Sequence, residues 1–170
     1  MKRFGLATLA VLALSSSLIL ASTSEAAITA GADQGIEQNM ISLVNSYRAQ
    51  HGLGPLKATP SLMRAARFHS RDMVEHDYFD HTSQDGEQFS QRLIRFGYRW
   101  SSAGEAIGEA SGLTSSDSAA DQAVTMWRQS PPHNKILLTG SFRSVGIGAW
   151  CTADTGGGST CTFTLDAARS

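Results

Sequence analysis

At 170 residues, with fourteen basic and fifteen acidic side chains and a formal net charge of −1, the chain has the size of one domain with a substantial core. It carries no basic run, which leaves no electrostatic footing for nucleic acid as a partner. No apolar run after residue 26 approaches the roughly 20 residues that span a membrane.

Lys2 and Arg3 precede an uncharged, mostly apolar run from Leu6 to Ala21, and Ser24-Glu25-Ala26 then places small residues at the −3 and −1 positions. This is the pattern of a secretory signal peptide, residues 1–26, cleaved after Ala26. An uncleaved anchor is the alternative, but the run is short for a span. The reading is of a secreted or periplasmic protein, with twelve basic and fourteen acidic residues left after the leader. Cys151 and Cys161 are the only cysteines. In an exported protein an even pair reads as a disulfide. The intervening Gly156-Gly157-Gly158 suits a hairpin loop whose strand ends the bridge would tie, for roughly 2–3 kcal/mol. A two-Cys metal or redox site is the other option, but the spacing is not CxxC.

Residues 27–33 are small and polar, a flexible lead-in, and 34–170 read as one domain without internal repeats. Ile36, Met40, Leu43, Val44 and Tyr47 recur at helical spacing, predicting a helix from Gln34 to near His51, where Gly52-Leu53-Gly54-Pro55 stops it. Arg48 and His51 fall towards its solvated face. Thr59-Pro60 opens a second helix whose apolar face carries Leu62, Ala66, His69 and Met73. On that stripe His69 reads as a buried histidine bonded to backbone, and His76 as a favourable charge at the helix end. Glu87 to Phe96 forms a short amphipathic helix closed by Gly97. A strand is expected within Tyr98–Gly108, then a loop over Ser111–Ser118 with a cap at Ser116 or Asp117. The helix through Ala120, Ala123, Val124 and Trp127 is stopped by Pro131-Pro132. Ile136-Leu137-Leu138 is a short apolar patch. Val145–Thr152 and Thr160–Asp166 read as a terminal hairpin.

The chemistry concentrates in three places. His76-Asp77-Tyr78-Phe79-Asp80-His81-Thr82-Ser83 packs two histidines, two aspartates and two aromatics into eight residues after a helix. Gly104-Glu105-Ala106-Ile107-Gly108 holds a lone acid in an apolar segment, and Ser130-Pro131-Pro132-His133-Asn134 brings another histidine. His81 lies beyond the helical periodicity, so core packing does not account for it. We expect His81, Glu105 and His133 to converge on one site.

These segments resemble a known family. Leu43-Val44-Asn45-Ser46-Tyr47-Arg48, Tyr78 to Ser83 with Asp85-Gly86, Arg92-Leu93, Gly104-Glu105, Trp127, Ser130 to Leu137 and Val145-Gly146-Ile147-Gly148 are similar, in order and spacing, to the CAP superfamily, or SCP domain, of cysteine-rich secretory and pathogenesis-related proteins. The resemblance implies an α+β fold, a three-layer α-β-α sandwich around a small, mainly antiparallel sheet. It also implies a cleft with two histidines and usually two acids, able to hold a divalent metal, often zinc. His81 and His133 match the histidines as metal ligands, and Glu105 matches one acid, a candidate catalytic base. The other acid position, three residues after Trp127, is Ser130. Where the family prefers Gly-Glu-Asn, this chain has Gly104-Glu105-Ala106.

Two imidazoles and a carboxylate would suit zinc with a water in the open position. Three functions follow from the residues: a secreted, non-enzymatic binding module with a cleft for a divalent metal or small ligand; a metal-assisted hydrolase acting on peptide or cell-wall material; and a lipid-binding or structural extracellular protein. In the last, His81, Glu105 and His133 would form a buried hydrogen-bond network. Tyr78, Phe79, Tyr98 and Trp100 are candidates to line a groove beside the site. The expected partner is a small molecule, a lipid or a cell-envelope ligand.

Overall fold

The computed structural model describes residues 27–28 and 30–170, so the expected signal peptide lies outside the described residues. The described residues form five helices and one five-stranded sheet. In chain order these are β1 (Gly31–Ala32), α1 (Gln34–Gln50), β2 (Lys57–Ala58), α2 (Pro60–Glu75), α3 (Phe89–Arg95), β3 (Ser102–Leu113), α4 (Ser116–Gln129), α5 (Pro131–Leu137), β4 (Ser144–Ala153) and β5 (Ser159–Arg169). The sheet runs β1-β4-β5-β3, all antiparallel, and β2 adds a short parallel pairing to β4.

Alternation along β4 and β5 assigns the two faces of the sheet. Val145, Ile147, Ala149, Phe163, Leu165 and Ala167 are buried with Ile36, Met40 and Val44 of α1 and Ala120, Ala123 and Trp127 of α4, in the main core. Trp127 is fully buried, and its indole N–H is satisfied by the Ile107 carbonyl at 3.0 Å. The opposite face is covered by α2, which comes very close. A Cβ on Gly146 would lie 2.1 Å from the carbonyl carbon of Leu62, and one on Gly148 2.4 Å from that of Ala66. The Gly-Ile-Gly alternation is thus a seat for the α2 backbone, sandwiching the sheet between helical layers.

The α2-facing side of β5 carries Thr162, Thr164 and Asp166, all buried. The Ser70 hydroxyl of α2 donates to the Gly148 carbonyl and is hydrogen-bonded to the Thr164 hydroxyl at 2.9 Å. Asp166 is fully buried, and neither of its carboxyl oxygens has a hydrogen-bond partner among the described residues. Its neighbour across the strand pair is Glu105. Burial pushes the Asp166 carboxyl well above the usual carboxylate range, and the negative charge of Glu105 adds to the shift.

Several local expectations need correcting. In place of a flexible lead-in over residues 27–33, Gly31 and Ala32 pair with Cys151 and Trp150, and Asp33 caps α1 by accepting from the Ile36 amide. Arg48 is fully buried instead of solvated. It donates to the carbonyls of Gly54 (3.0 Å), Leu137 (2.6 Å) and Thr139 (3.1 Å), stapling the end of α1 to the end of α5. β3 runs on to Leu113, through the predicted loop, and the cap of α4 is Ser115. The proline pair stops α4 and also starts α5, with Pro131 at its first position, so the Ile136–Leu137 patch is helical. Cys151 and Cys161 face each other across β4 and β5 and form the disulfide.

Gly146→Ala is expected to cost at least about 3 kcal/mol, because backbone and not a flexible side-chain end must move; urea unfolding measures it. Asp166→Asn is expected to show a pH-dependent advantage. Above about pH 3.9 the unfolded chain releases the Asp166 proton while the folded chain keeps it, so wild-type stability from this group falls as pH rises. The variant lacks that loss, and its stability relative to wild type should climb by up to about 1.4 kcal/mol per pH unit between denaturant titrations at pH 4 and pH 6.5.

Candidate functional site

Three elements and a loop build the site. His69 comes from α2, Arg92 from α3, Glu105 from β3, and His81 from the connection between α2 and α3. That connection is held by its own turns: the Thr82 amide donates to Asp80 Oδ1 (2.7 Å), the Ser83 amide to the Glu87 carbonyl, and the Gly86 amide to the Ser83 carbonyl. Gly86 has φ +90, which a side chain would oppose.

Glu105 is buried and both of its oxygens are engaged. His81 donates from Nδ1 to Oε1 at 2.9 Å, and the fully buried Arg92 donates from Nη2 to Oε2 at 2.5 Å. Arg92 also donates to Ser83 Oγ (2.8 Å) and the His81 carbonyl (3.3 Å), fixing the loop that carries His81. Burial opposes the charge on Glu105, but the His81 hydrogen bond and the Arg92 charge outweigh it and hold the carboxyl below its ordinary value. Glu105 is therefore an anion with a hydrogen-bond donor already on each oxygen, which makes it a poor proton acceptor.

His81 is half exposed, and its bond to Glu105 raises its pKa. With Nδ1 donating to the carboxylate, Nε2 is the free nitrogen of the neutral ring. His69 is fully buried and hydrogen-bonded through Nε2 to the Asp80 carbonyl at 2.9 Å, as expected of a core histidine. Desolvation lowers its pKa to about 4, so it is neutral near pH 7, with Nε2 3.9 Å from Glu105 Oε1. His133 is the third residue of α5. Its Nδ1 is buried without a partner among the described residues, and its pKa is lowered by burial and by the charge of nearby His81.

The structure thus bonds His81 directly to Glu105 and sets His133 within electrostatic reach of His81. Among the described residues, no group of three His, Cys, Asp or Glu side chains is arranged to hold a metal ion. Ser130 is the N-cap of α5 and makes no side-chain capping bond. Ala106 points to the opposite face from Glu105 and is fully buried in the main core, so Arg92, not a neighbouring amide, orients the acid. The four aromatics do not line one groove. Tyr98 is buried beside Leu62 and Leu93, Trp100 donates to the Ser90 carbonyl, and only Tyr78 and Phe79 share a groove, one that none of the three site residues lines.

Sequence reasoning missed Arg92 as a site residue. The signal was present: Arg92 follows Phe89 by three and precedes Phe96 by four, placing a charge on the apolar stripe of α3.

Comparison with known proteins agrees with this layout. Residues 41–164 match the model of the cysteine-rich secretory protein family, CAP. Protein YkwD of Bacillus subtilis is 30% identical over 112 residues, which cover 66% of this chain and 41% of YkwD; the B. subtilis membrane protein YlbC is 32% identical over 112 residues and 31% of its own length. The chain thus spans under half the length of these curated relatives. An extracellular protein containing an SCP domain from Bacillus anthracis superposes with a TM-score of 0.67 at 28% identity, over 81% of this chain and 41% of that one. An outer surface protein from Borrelia burgdorferi, at 18% identity, shares the fold with a TM-score of 0.65 over 86% of this chain and 99% of its own. No helix among the described residues is long and apolar enough to cross a membrane. The family match begins within α1, ends within β5 and includes His81, Glu105 and His133: the chain belongs to the cysteine-rich secretory protein family.

Proposed function

We propose that the protein is a secreted binding module, and that His81 Nε2 and His133 form the ligand-contacting edge of its cleft. The observation that carries this reading is the saturation of Glu105. A carboxylate bonded by His81 on one oxygen and by buried Arg92 on the other is suited to fixing an imidazole, not to taking a proton from water. That weighs against a hydrolase with Glu105 as its general base. Glu105 is a positioning residue: it sets the tautomer of His81 and turns Nε2 outward.

The donor set fits a divalent metal in a limited way. Two imidazole nitrogens, one with a carboxylate behind it, are the arrangement zinc accepts, and the orphaned Nδ1 of His133 is a buried polar atom in want of a partner. Glu105 would stand behind His81 and not bind the metal itself, leaving the remaining positions to water or to a ligand. A metal held there would supply Lewis acidity. The residues' own work is to present two neutral rings. Because the bond to Glu105 favours the protonated form of His81, protons compete with any metal below the raised pKa of that ring.

Zinc titration of the protein by calorimetry at pH 7.5 is expected to show one site per chain, weakened about tenfold or more by either His81→Ala or His133→Ala. No binding to folded wild type, or binding indifferent to both changes, rejects the shared site. Replacing Glu105 by Gln should drop the NMR titration midpoint of His81, since the largest raising influence on it is removed. The same change strands buried Arg92 and is expected to cost about 3–5 kcal/mol in urea unfolding.

A further inference from the structure

The helical period of α2 has a second face. Arg64, Arg67, Phe68 and Arg71 recur at three- and four-residue spacing on the side turned away from Leu62, Ala66, His69 and Met73. A groove of about 310 Å³ runs along this side, between the end of α3 and the edge where β1 pairs with β4. Phe96, the C-cap of α3, and Trp150 of β4 complete its lining. The rings of Phe68, Phe96 and Trp150 are half-buried and make an apolar floor, with the Phe68 and Phe96 centroids 5.5 Å apart.

The charge around this floor has one sign. Three arginines line the groove and no Asp or Glu does. Arg67 is matched elsewhere: the buried Glu37 of α1 accepts from its Nε on both carboxylate oxygens, at 2.8 and 2.9 Å. Arg71 is matched weakly, by a 3.3 Å contact with Glu75 between two side chains that are each about half exposed, an arrangement that holds neither partner firmly. Arg64 has no acid partner among the described residues. It donates from Nη2 to the Phe96 carbonyl at 3.2 Å, which leaves most of its donors open. Guanidinium groups also lie over the rings, Arg71 over Trp150 at 5.9 Å and Arg95 over Phe68 at 4.3 Å. An arginine placed on an aromatic face keeps N–H groups at its edge for a carboxylate. Arg64 and Arg71 stand seven residues apart on α2, hence roughly 10 Å, with Phe68 between them.

We propose that this groove docks an acidic peptide segment of a partner protein, one that carries an aromatic side chain between carboxylates. The aromatic side chain packs on the floor of Phe68, Phe96 and Trp150, and the flanking carboxylates take the open donors of Arg64 and Arg71. Both halves of the groove argue for this occupant. Phosphate or a phosphate polymer would satisfy the arginines and leave the rings uncovered, and a bilayer surface does not reach rings recessed between a helix and a strand edge. At about 310 Å³ the groove is near the lower end of ligand sites, roughly 300–1,000 Å³, which suits one side chain and its neighbours. The site is separate from the histidine cleft: neither His81 nor His133 lines it.

The test is NMR titration of the protein at low ionic strength with acetyl-Glu-Glu-Phe-Glu-Glu-amide up to millimolar concentration, followed at the indole N–H of Trp150. Two control peptides each remove one half of the recognition: glutamine in place of every glutamate, and alanine in place of phenylalanine. The acidic aromatic peptide should move the indole signal saturably, and each control should bind about tenfold more weakly or worse. Arg64→Gln and Arg71→Gln should each weaken binding about fivefold or more, and added salt should weaken it in the wild type. Both arginines are exposed on α2 and glutamine is a good helix former, so unchanged thermal midpoints certify the variants. Vesicles of phosphatidylglycerol and phosphatidylcholine should sediment wild type and variants alike. No saturable shift with the acidic aromatic peptide, a control that binds as tightly, indifference to both arginine changes, or vesicle binding in place of peptide binding overturns the proposal.

Discussion

The arrangement of the cleft depends on one buried ion pair, Arg92 with Glu105. An isolated charge in either position would carry a desolvation cost that the marginal stability of a domain could not absorb. Each group makes the other tolerable, and the pair's remaining hydrogen-bonding capacity goes to the loop that carries His81. Arg92 reaches Ser83 Oγ and the His81 carbonyl, while Glu105 takes the His81 ring. A loop of polar residues is thereby given the positional definition of a strand. The same constraint decides chemistry, because a carboxylate committed to Arg92 is not available as a base.

The second constraint is the closeness of α2 to the sheet. Where Gly146 and Gly148 admit the helix backbone, no side chain fills the layer, so the polar groups of β3 and β5 beneath α2 have few places to find water. Thr164 and Ser70 satisfy one another, whereas Asp166 has Glu105 as its neighbour and keeps its proton. Burial is the main reason that the Asp166 carboxyl is neutral, and the adjacent charge on Glu105 adds to it. Arg92 can neutralise one acid, and geometry assigns it to Glu105.

The layers and much of the cleft are legible in the sequence for identifiable reasons. Helical spacing in α1, α2 and α4 and the alternation in β4 and β5 carry the fold, and His81 stands out because no periodicity explains it. Two of the misreadings share one cause. Arg48 and Arg92 are charges at positions that periodicity assigns to an apolar stripe, and on sequence alone a charge reads as a mark of solvent. Arg48 lies four residues after Val44 just as Arg92 lies four before Phe96, and both are fully buried. Asp166 is obscure for a related reason. Alternation gives the polar set of β5 a face of its own, but only the three-dimensional seating of α2 on glycines tells that this face is covered too. Aromatics give the opposite error: Tyr98 and Trp100 group with Tyr78 and Phe79 by type, and the fold separates them.

Charge balance characterises the histidine group on the α2 side of β3. In the histidine cleft Arg92 cancels Glu105, His69 is neutral near pH 7, and the position three residues after Trp127 offers the hydroxyl of Ser130 in place of a carboxylate. Protonation of His81 adds one positive charge beside the carboxylates of Glu105 and Asp80. Four residues along β3, roughly 13 Å away, Glu109 accepts from Thr162 and stands clear of the histidines. Below the raised pKa of His81 the site gains a positive charge that Glu105 holds in place through their hydrogen bond.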